Sequence, residues 1–304
     1  MIYTVTFSPA IDYVIYMDEL RPGETNRSKW ETYYFGGKGI NVSTVLNNLE
    51  IENTALGFIS GFTGKALEDG LKKAGLRTDF VRLEEGITRI NIKLKTEKET
   101  EKETEINAQG AAITEDKLEA LLDKLEKLEK GDTLVISGNI PNTLPKNIYE
   151  VMLKKLSGRG IRFVVDATGD LLKNVLKYRP FLIKPNKSEL RELTGMEINT
   201  REELAQSAGK LQEWGARNVL VSLGAEGAYL LCEDGKAYHR DAITEPVKNT
   251  VGAGDSMVAG FLAGYMKNGD WEYALKLGVA AGSATACSEG LADKERIKEF
   301  FQKC

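Results

Sequence analysis

Short runs of β-branched and other apolar residues recur along this chain, and each is followed by turn residues and then by a helical pattern. Four such runs lie at residues 133–137, 162–166, 181–184 and 219–222. The helical patterns carry apolar residues on one face, as do the leucines of residues 118–128, which is typical of helices that pack on a core. Strands that alternate with helices favour a parallel sheet. The sequence therefore predicts an α/β fold with helices covering a mainly parallel sheet.

Two other regions, roughly residues 13–35 and 88–108, contain alternating strand patterns and few helix formers. We expect them to pair as a small sheet that projects from the main one and acts as a lid. Within the second region, the charged residues 95–105 predict a solvated hairpin tip. No Pro-, Gly- or Ser-rich linker divides the chain, so we expect one domain over residues 1–304.

Composition and charge exclude several classes of protein. The chain has no apolar run long enough to span a bilayer and no visible secretory leader, so we expect a cytoplasmic protein without a membrane partner. A net charge of -4, with acids and bases interspersed, gives no basic face for nucleic acid. Cys232, Cys287 and Cys304 lack the spacing of a zinc or redox site, which indicates free thiols. The single histidine, His239, is expected in a surface loop, so triad chemistry has little support.

The segment 249–256 opens a predicted helix and places Gly252, Ala253 and Gly254 directly before Asp255. The first N–H groups of a helix have no intrahelical acceptor, and glycines let an anion approach them closely. Such a site suits phosphate oxygens, and an aspartate there can accept a proton from a hydroxyl that attacks the phosphate. The alternative is that Asp255 only caps the helix while the small residues allow close packing.

A second glycine-rich loop, residues 35–42, leads into another predicted helix and carries Gly37, Lys38 and Asn41. Its backbone amides, its lysine and its asparagine suit a polyol that carries a phosphate. The alternative is a turn between a strand and a packed helix. Neither glycine loop has the Gly-x-x-x-x-Gly-Lys-[Ser/Thr] spacing of a Walker P-loop.

Two further elements lie where predicted strands end. Lys184 and Asn186 follow a buried strand, with Glu189 three residues later. Ligands bind at the carboxyl ends of parallel strands, so the amide and the carboxylate could hold hydrated Mg²⁺. Residues 222–227 form a strand–turn–strand pattern with two glycines that could admit a flat nucleotide. The alternatives are an ordinary helix start and an ordinary hairpin turn.

Taken in this order, the four elements resemble the ribokinase-like PfkB carbohydrate kinases, and the resemblance covers essentially the whole chain. The loop at 36–39 matches the family's N-terminal signature, and residues 249–256 match its C-terminal one. Residues 7–12 also resemble the family's first strand. Within the family, the chain is most similar to the 1-phosphofructokinase branch, whose members phosphorylate ketose phosphates. That likeness is carried by residues 88–91, 104–107, 137–141, 166–169 and 252–261.

The resemblance implies a ribokinase-like fold and the ATP-dependent phosphorylation of D-fructose 1-phosphate at its C6 hydroxyl, giving fructose 1,6-bisphosphate. It implies Mg²⁺ and a monovalent cation as cofactors, and a homodimer paired through the lid. Asp255 would be the catalytic base, with the amides of Gly252, Ala253 and Gly254 stabilising the transferred group. The residues that would bind the sugar phosphate are Asp12, Gly37, Lys38, Asn41, Arg89, Ser137, Asn139 and Arg27, of which Lys38, Arg89 and Arg27 would hold the existing phosphate. Those that would bind ATP are Lys184, Asn186, Ser222, Gly224, Gly227, Gly252 and Gly254, with Asn186 and Glu189 supporting the metal through water.

Several rivals remain open from the sequence. Tagatose-6-phosphate kinase and fructose-6-phosphate kinase belong to the same family, and Asn139 stands where many relatives have serine, which weakens the choice of sugar. The charged residues 95–105 also look longer than the usual lid tip. A dinucleotide-dependent oxidoreductase would need Gly-x-Gly-x-x-Gly in the first βα turn, which this chain lacks. A catalytically silent sugar-binding regulator would not need Asp255.

Overall fold

A computed structural model describes residues 1–97 and 103–304 of the protein. In chain order, the strands are β1 (Ile2–Thr6), β2 (Ala10–Met17), β3 (Trp30–Gly36), β4 (Asn53–Ser60), β5 (Arg77–Thr78), β6 (Val81–Leu83), β7 (Arg89–Thr96), β8 (Glu103–Ile106), β9 (Thr133–Ser137), β10 (Arg162–Asp166), β11 (Leu182–Ile183), β12 (Asn218–Ser222), β13 (Ala228–Leu231) and β14 (Ala237–Arg240). The helices are α1 (Lys38–Asn48), α2 (Gly61–Lys73), α3 (Glu115–Leu125), α4 (Ile148–Leu156), α5 (Gly169–Val175), α6 (Lys187–Thr194), α7 (Arg201–Glu213), α8 (Ala253–Asn268), α9 (Trp271–Ala286) and α10 (Lys294–Lys303).

The main sheet has ten strands within the described residues, in the order β14-β13-β12-β11-β10-β9-β1-β4-β5, with β6 also pairing to β4. Strands from β12 through β5 run parallel, whereas β13 and β14 are antiparallel additions. The four predicted strands are among them, which confirms the mainly parallel sheet.

Helices bury both faces of the main sheet. Along β9, Leu134 and Ile136 pack into one apolar cluster and Val135 into another on the opposite face. The first cluster includes residues of α3, α4, α5 and α7, and the second includes residues of α1, α8, α9 and α10. Burial on both faces explains why these strands are continuous apolar runs rather than alternating ones.

A second sheet has the order β3-β2-β7-β8 and is built from the two alternating regions. Strand β2 is antiparallel to β3 and parallel to β7, while β7 and β8 form an antiparallel pair. The predicted small sheet is therefore present. Its action as a lid stays a prediction, and the centre of the predicted hairpin tip, residues 98–102, lies outside the described residues.

Two local expectations are wrong. Residues 7–12 were expected to form the first strand, but β1 ends at Thr6 and Asp12 lies on β2 in the second sheet. His239 was expected in a loop, but it lies half-buried on β14, opposite Tyr229 of β13. The antiparallel pairing with β13 draws this polar segment into the sheet, which the local sequence does not reveal. Within the described part of the chain, none of the helices combines the length and apolar character needed to cross a bilayer.

Candidate active site

The N-terminus of α8 forms the centre of the site. Gly252 precedes the helix with φ +79°, a left-handed conformation that glycine adopts without steric cost. Packing against α9 fixes the helix, since a Cβ atom on Gly260 would lie 2.5 Å from the carbonyl oxygen of Leu277. The amide of Ala253 donates to the carbonyl of Thr250 at 3.2 Å. The helix therefore provides no hydrogen-bond acceptor for the first-turn amides of Gly254 and Asp255.

Asp255 lies in this first turn and is only 6% exposed. The side-chain amide of Asn41, in the first turn of α1, donates a hydrogen bond to its Oδ2 at 2.8 Å. Burial, followed by repulsion from Asp166, raises the pKa of Asp255 to about 7, against the opposing effects of Asn41, Lys38 and Lys184. A carboxyl group with a pKa near neutrality is suited to accepting and releasing a proton.

Asp166 connects the charged groups around Asp255. It ends β10, and its carboxylate lies 3.5 Å from the Nζ of Lys38 and 3.4 Å from the Nζ of Lys184. Burial lowers the pKa of Lys38, but attraction to Asp166, Asp255 and Glu189 outweighs it, so that the pKa is raised overall. A Cβ atom on Gly254 would lie 3.2 Å from the Nζ of Lys184. The ammonium group of Lys184 thus lies beside the start of α8, and that of Lys38 shares the carboxylate of Asp166 with it.

A cavity of about 450 Å³ opens in front of Asp255 and runs under the second sheet. It collects most of the residues predicted to bind the sugar phosphate or to act in catalysis: Asp12, Gly37, Lys38, Asn41, Arg89, Ser137, Asn139, Gly252 and Asp255. Arg27 does not line it and lies exposed between β2 and β3. The two glycine-rich motifs therefore converge on one cleft, with Arg27 left outside.

Strand β7 supplies one wall of the cavity with every second residue, Arg89, Asn91 and Lys93. The Nε of Arg89 donates to the carbonyl of Ser8 at 3.2 Å, and burial lowers the pKa of its guanidinium group against the opposing attraction of Asp12. An arginine held in this way presents its remaining N–H donors to the cavity. Such donors suit an anionic group such as a phosphate.

Of the residues predicted to bind ATP, Gly252 lines the cavity, whereas Lys184, Asn186, Ser222, Gly224, Gly227 and Gly254 are not among its lining residues. Asn186 pairs in a β-bridge with Ser222, and the turn after Ser222 closes when Leu223 donates to the carbonyl of Gly227 at 2.9 Å. Gly224 opens that turn. Lys184, two residues before Asn186, links this surface to Asp166 and to the start of α8.

Asn186 and Glu189 form a reciprocal cap at the start of α6. The Oδ1 of Asn186 accepts from the amide of Glu189, and the Oε2 of Glu189 accepts from the amide of Asn186, both at 2.8 Å. This leaves the Oε1 of Glu189 as the oxygen that the cap does not use. Residues 1–97 and 103–304 contain no cluster of three or more metal-binding side chains. The one carboxylate oxygen that the cap leaves unused suits a water ligand of a divalent cation whose other ligands are phosphate and water oxygens.

Sequence reasoning gave no site role to Asn91, which lines the cavity, or to Asp166, which contacts Lys38 and Lys184. The signal for Asp166 was present, because an acidic residue that ends a buried parallel strand lies at the edge where ligands bind. Asn91 gave a weaker signal. It follows Arg89 by two residues and so shares its face of the strand.

Comparison with known proteins identifies the family of this chain. A model of the pfkB family carbohydrate kinases matches residues 1–297. The 1-phosphofructokinase of Bacillus subtilis (strain 168) is 42% identical over 301 residues, covering 99% of this chain and 97% of that protein. The D-tagatose-1-phosphate kinase of Bacillus licheniformis is 36% identical over 300 residues, with coverages of 98% and 97%. The crystal structure of phosphofructokinase-2 from Escherichia coli in complex with fructose-6-phosphate is similar with a TM-score of 0.90 and 28% identity, and the match covers 99% of this chain and 98% of that one. The chain therefore belongs to the pfkB family of carbohydrate kinases and is a phosphotransferase.

Proposed function

We propose that this kinase transfers the γ-phosphoryl group of ATP to the C6 hydroxyl of D-fructose 1-phosphate, which gives fructose 1,6-bisphosphate and ADP. One observation carries the proposal: a buried carboxyl group with a pKa of about 7 lies at the start of α8, beside unused amides and at the edge of a polar cleft. The similarity to a 1-phosphofructokinase over nearly the whole chain supports the choice of sugar.

Asp255 accepts the proton of the C6 hydroxyl as the sugar oxygen bonds to the γ-phosphorus. The bond from that phosphorus to the bridging oxygen of ADP breaks, and ADP leaves. The amides of Gly254 and Asp255 and the ammonium groups of Lys38 and Lys184 stabilise the charge on the transferred group. Lys38, predicted to hold the existing phosphate, pairs with Asp166 beside the reacting carboxylate. We therefore assign it to the transferred group.

The sugar lies between α1 and the second sheet. Asp12 and Asn41 orient its hydroxyl groups, and Ser137 and Asn139 also line the cavity. Arg89 holds the C1 phosphate. Burial reduces the competition of water for its guanidinium group, which strengthens its attraction for an anion.

Kinases of this family use ATP and a divalent metal. We propose Mg²⁺, supported through water by Asn186 and Glu189, where it would neutralise the phosphate oxygens of ATP. The base of the nucleotide would lie against the turn from Ser222 to Gly227. A monovalent-cation requirement stays a prediction, which replacement of K⁺ by tetramethylammonium in the assay would test.

We propose that the second sheet closes over the sugar and pairs with the same sheet of a second chain. Support comes from β3, an edge strand whose Trp30, Tyr33 and Tyr34 are exposed. Sedimentation during turnover should show a dimer, and a monomer would contradict a shared lid. The proposed substrates and the free cysteines Cys232 and Cys287 fit a reducing cytoplasm.

The second candidate substrate is D-tagatose 1-phosphate, which the similarity to a D-tagatose-1-phosphate kinase favours. It differs from D-fructose 1-phosphate only in the configuration at C4. An ADP-release assay should compare these two sugars with tagatose 6-phosphate and fructose 6-phosphate. We expect the highest kcat/KM for fructose 1-phosphate. A higher kcat/KM for another sugar would identify that sugar as the substrate instead. Sugar binding detected by calorimetry, without turnover of any sugar, would favour a catalytically silent regulator.

A further inference from the structure

Asp12 is held from both sides within the second sheet. It lies on β2 between the two neighbouring strands, opposite Tyr34 of β3 and opposite Asn91 of β7. Its side chain lines the sugar cavity. One carboxylate oxygen of Asp12 meets Asn91 of β7, and the other meets Gly36 of β3. Gly36 belongs to the signature loop at 36–39, but neither residue was assigned a role in sugar binding.

The first contact comes from Asn91, whose Nδ2 donates to the Oδ1 of Asp12 at 2.8 Å. A carboxylate oxygen can only accept, so the amide nitrogen of Asn91 must face Asp12. The Oδ1 of Asn91 is consequently buried without a hydrogen-bond partner among the described residues. A buried acceptor without a partner is unfavourable. The side chain of Asn91 thus keeps its hydrogen bond to Asp12 although its own oxygen is left without a hydrogen bond.

The second contact comes from Gly36, the last residue of β3. A Cβ atom there would overlap the Oδ2 of Asp12 and lie 3.1 Å from its Cγ. The φ of Gly36 is outside the left-handed region, in contrast to φ +123° at Gly37. Alanine would therefore fit the backbone at position 36. What excludes it is the carboxylate of Asp12.

We infer that Asn91 and Gly36 are positioning residues that hold the carboxylate of Asp12 toward the hydroxyl groups of the sugar. This inference rests on the proposed function, because it needs a polyhydroxy substrate in the cavity. Asn91 fixes one oxygen by a hydrogen bond, and the absent side chain of Gly36 leaves room for the other. Neither residue acts on ATP, so their effects should be confined to the sugar phosphate.

A double-mutant cycle between Gly36→Ala and Asp12→Ala tests the inference. We expect each single substitution to lower kcat/KM for fructose 1-phosphate by about 10- to 100-fold, the range for a hydrogen bond to a charged group. The double variant should be no worse than Asp12→Ala within about threefold, because alanine at position 12 removes the overlapping atoms. The KM for ATP should stay within about threefold in all of them.

Gly209→Ala is the matched control, because a Cβ atom there meets nothing within 4 Å and the residue lies inside α7. It should keep full activity. If Gly36→Ala does not fold, Asn91→Ala enters the same cycle, with the same loss expected in the presence of Asp12 and little loss in its absence. Independent, multiplicative losses would overturn the inference while leaving the kinase intact. A wild-type protein that phosphorylates no ketose phosphate would instead overturn the proposed function.

Discussion

Asp255 and Asp12 face the sugar cavity from different parts of the molecule, and their carboxylates are held in different ways. Asp255 lies at the start of a helix that is packed into the core, where burial raises its pKa to about 7. Asp12 lies half-buried on the second sheet, where Asn91 and the bare backbone of Gly36 set its direction. Burial controls the proton affinity of the first, and contacts from neighbouring strands aim the second. The rigid core thus provides the chemistry, while the small sheet provides recognition.

Substitution of Asp255 should cause the largest loss of activity, because it removes the catalytic base from the core. Asp255→Asn retains the shape and the contact with Asn41 but cannot accept the proton. We expect kcat to fall by about two to four orders of magnitude, with little change in sugar affinity. Asp116→Asn, in the first turn of α3 and exposed, is the matched control and should leave kcat unchanged. Near wild-type turnover by Asp255→Asn would remove it as the base.

Substitution of Arg89 should weaken the binding of the sugar phosphate. Arg89→Ala removes a buried guanidinium from the cavity wall, so we expect the KM for fructose 1-phosphate to rise by about 10- to 100-fold while kcat changes less. Arg77→Ala, an exposed arginine paired with Glu52, serves as the control. An unchanged KM would show that the C1 phosphate binds elsewhere.

Removal of the charge of Asp166 tests whether this residue helps to raise the pKa of Asp255. Activity needs the ionised base, so wild-type kcat should rise with pH through about 7. Repulsion from Asp166 raises the pKa of Asp255, and Asp166→Asn should therefore move that limb of the profile to lower pH. A limb that stays in place, or moves to higher pH, would contradict the electrostatic link.

The comparison also shows what could be predicted from the sequence. The parallel sheet and the start of α8 were predictable, because apolar runs and glycine-rich helix starts are local patterns. Asp255, Lys38 and Asn41 were assigned to the site from such patterns, and the structure brings them together in one cleft. The contacts that aim Asp12 were not predictable. They depend on the register of β2 against β3 and β7, and strands far apart in sequence set that register by their packing.

The smallest expected effect concerns stability, and its sign follows from the burial of Asp255. Its pKa is about 7 in the folded protein, against an ordinary value of 3.8. The stability associated with this group is therefore fully present below about pH 4 and lost as pH rises through 7, because ionisation then places a charge in the core. A neutral amide avoids that penalty. Asp255→Asn should unfold several degrees above the wild type at pH 8, and this difference should shrink toward pH 5. Thermal unfolding of both proteins across this pH range measures the effect. A variant less stable than the wild type at pH 8 would contradict the prediction. It would show that Lys38, Lys184 and Asn41 stabilise the ionised carboxylate of Asp255 by more than its burial costs.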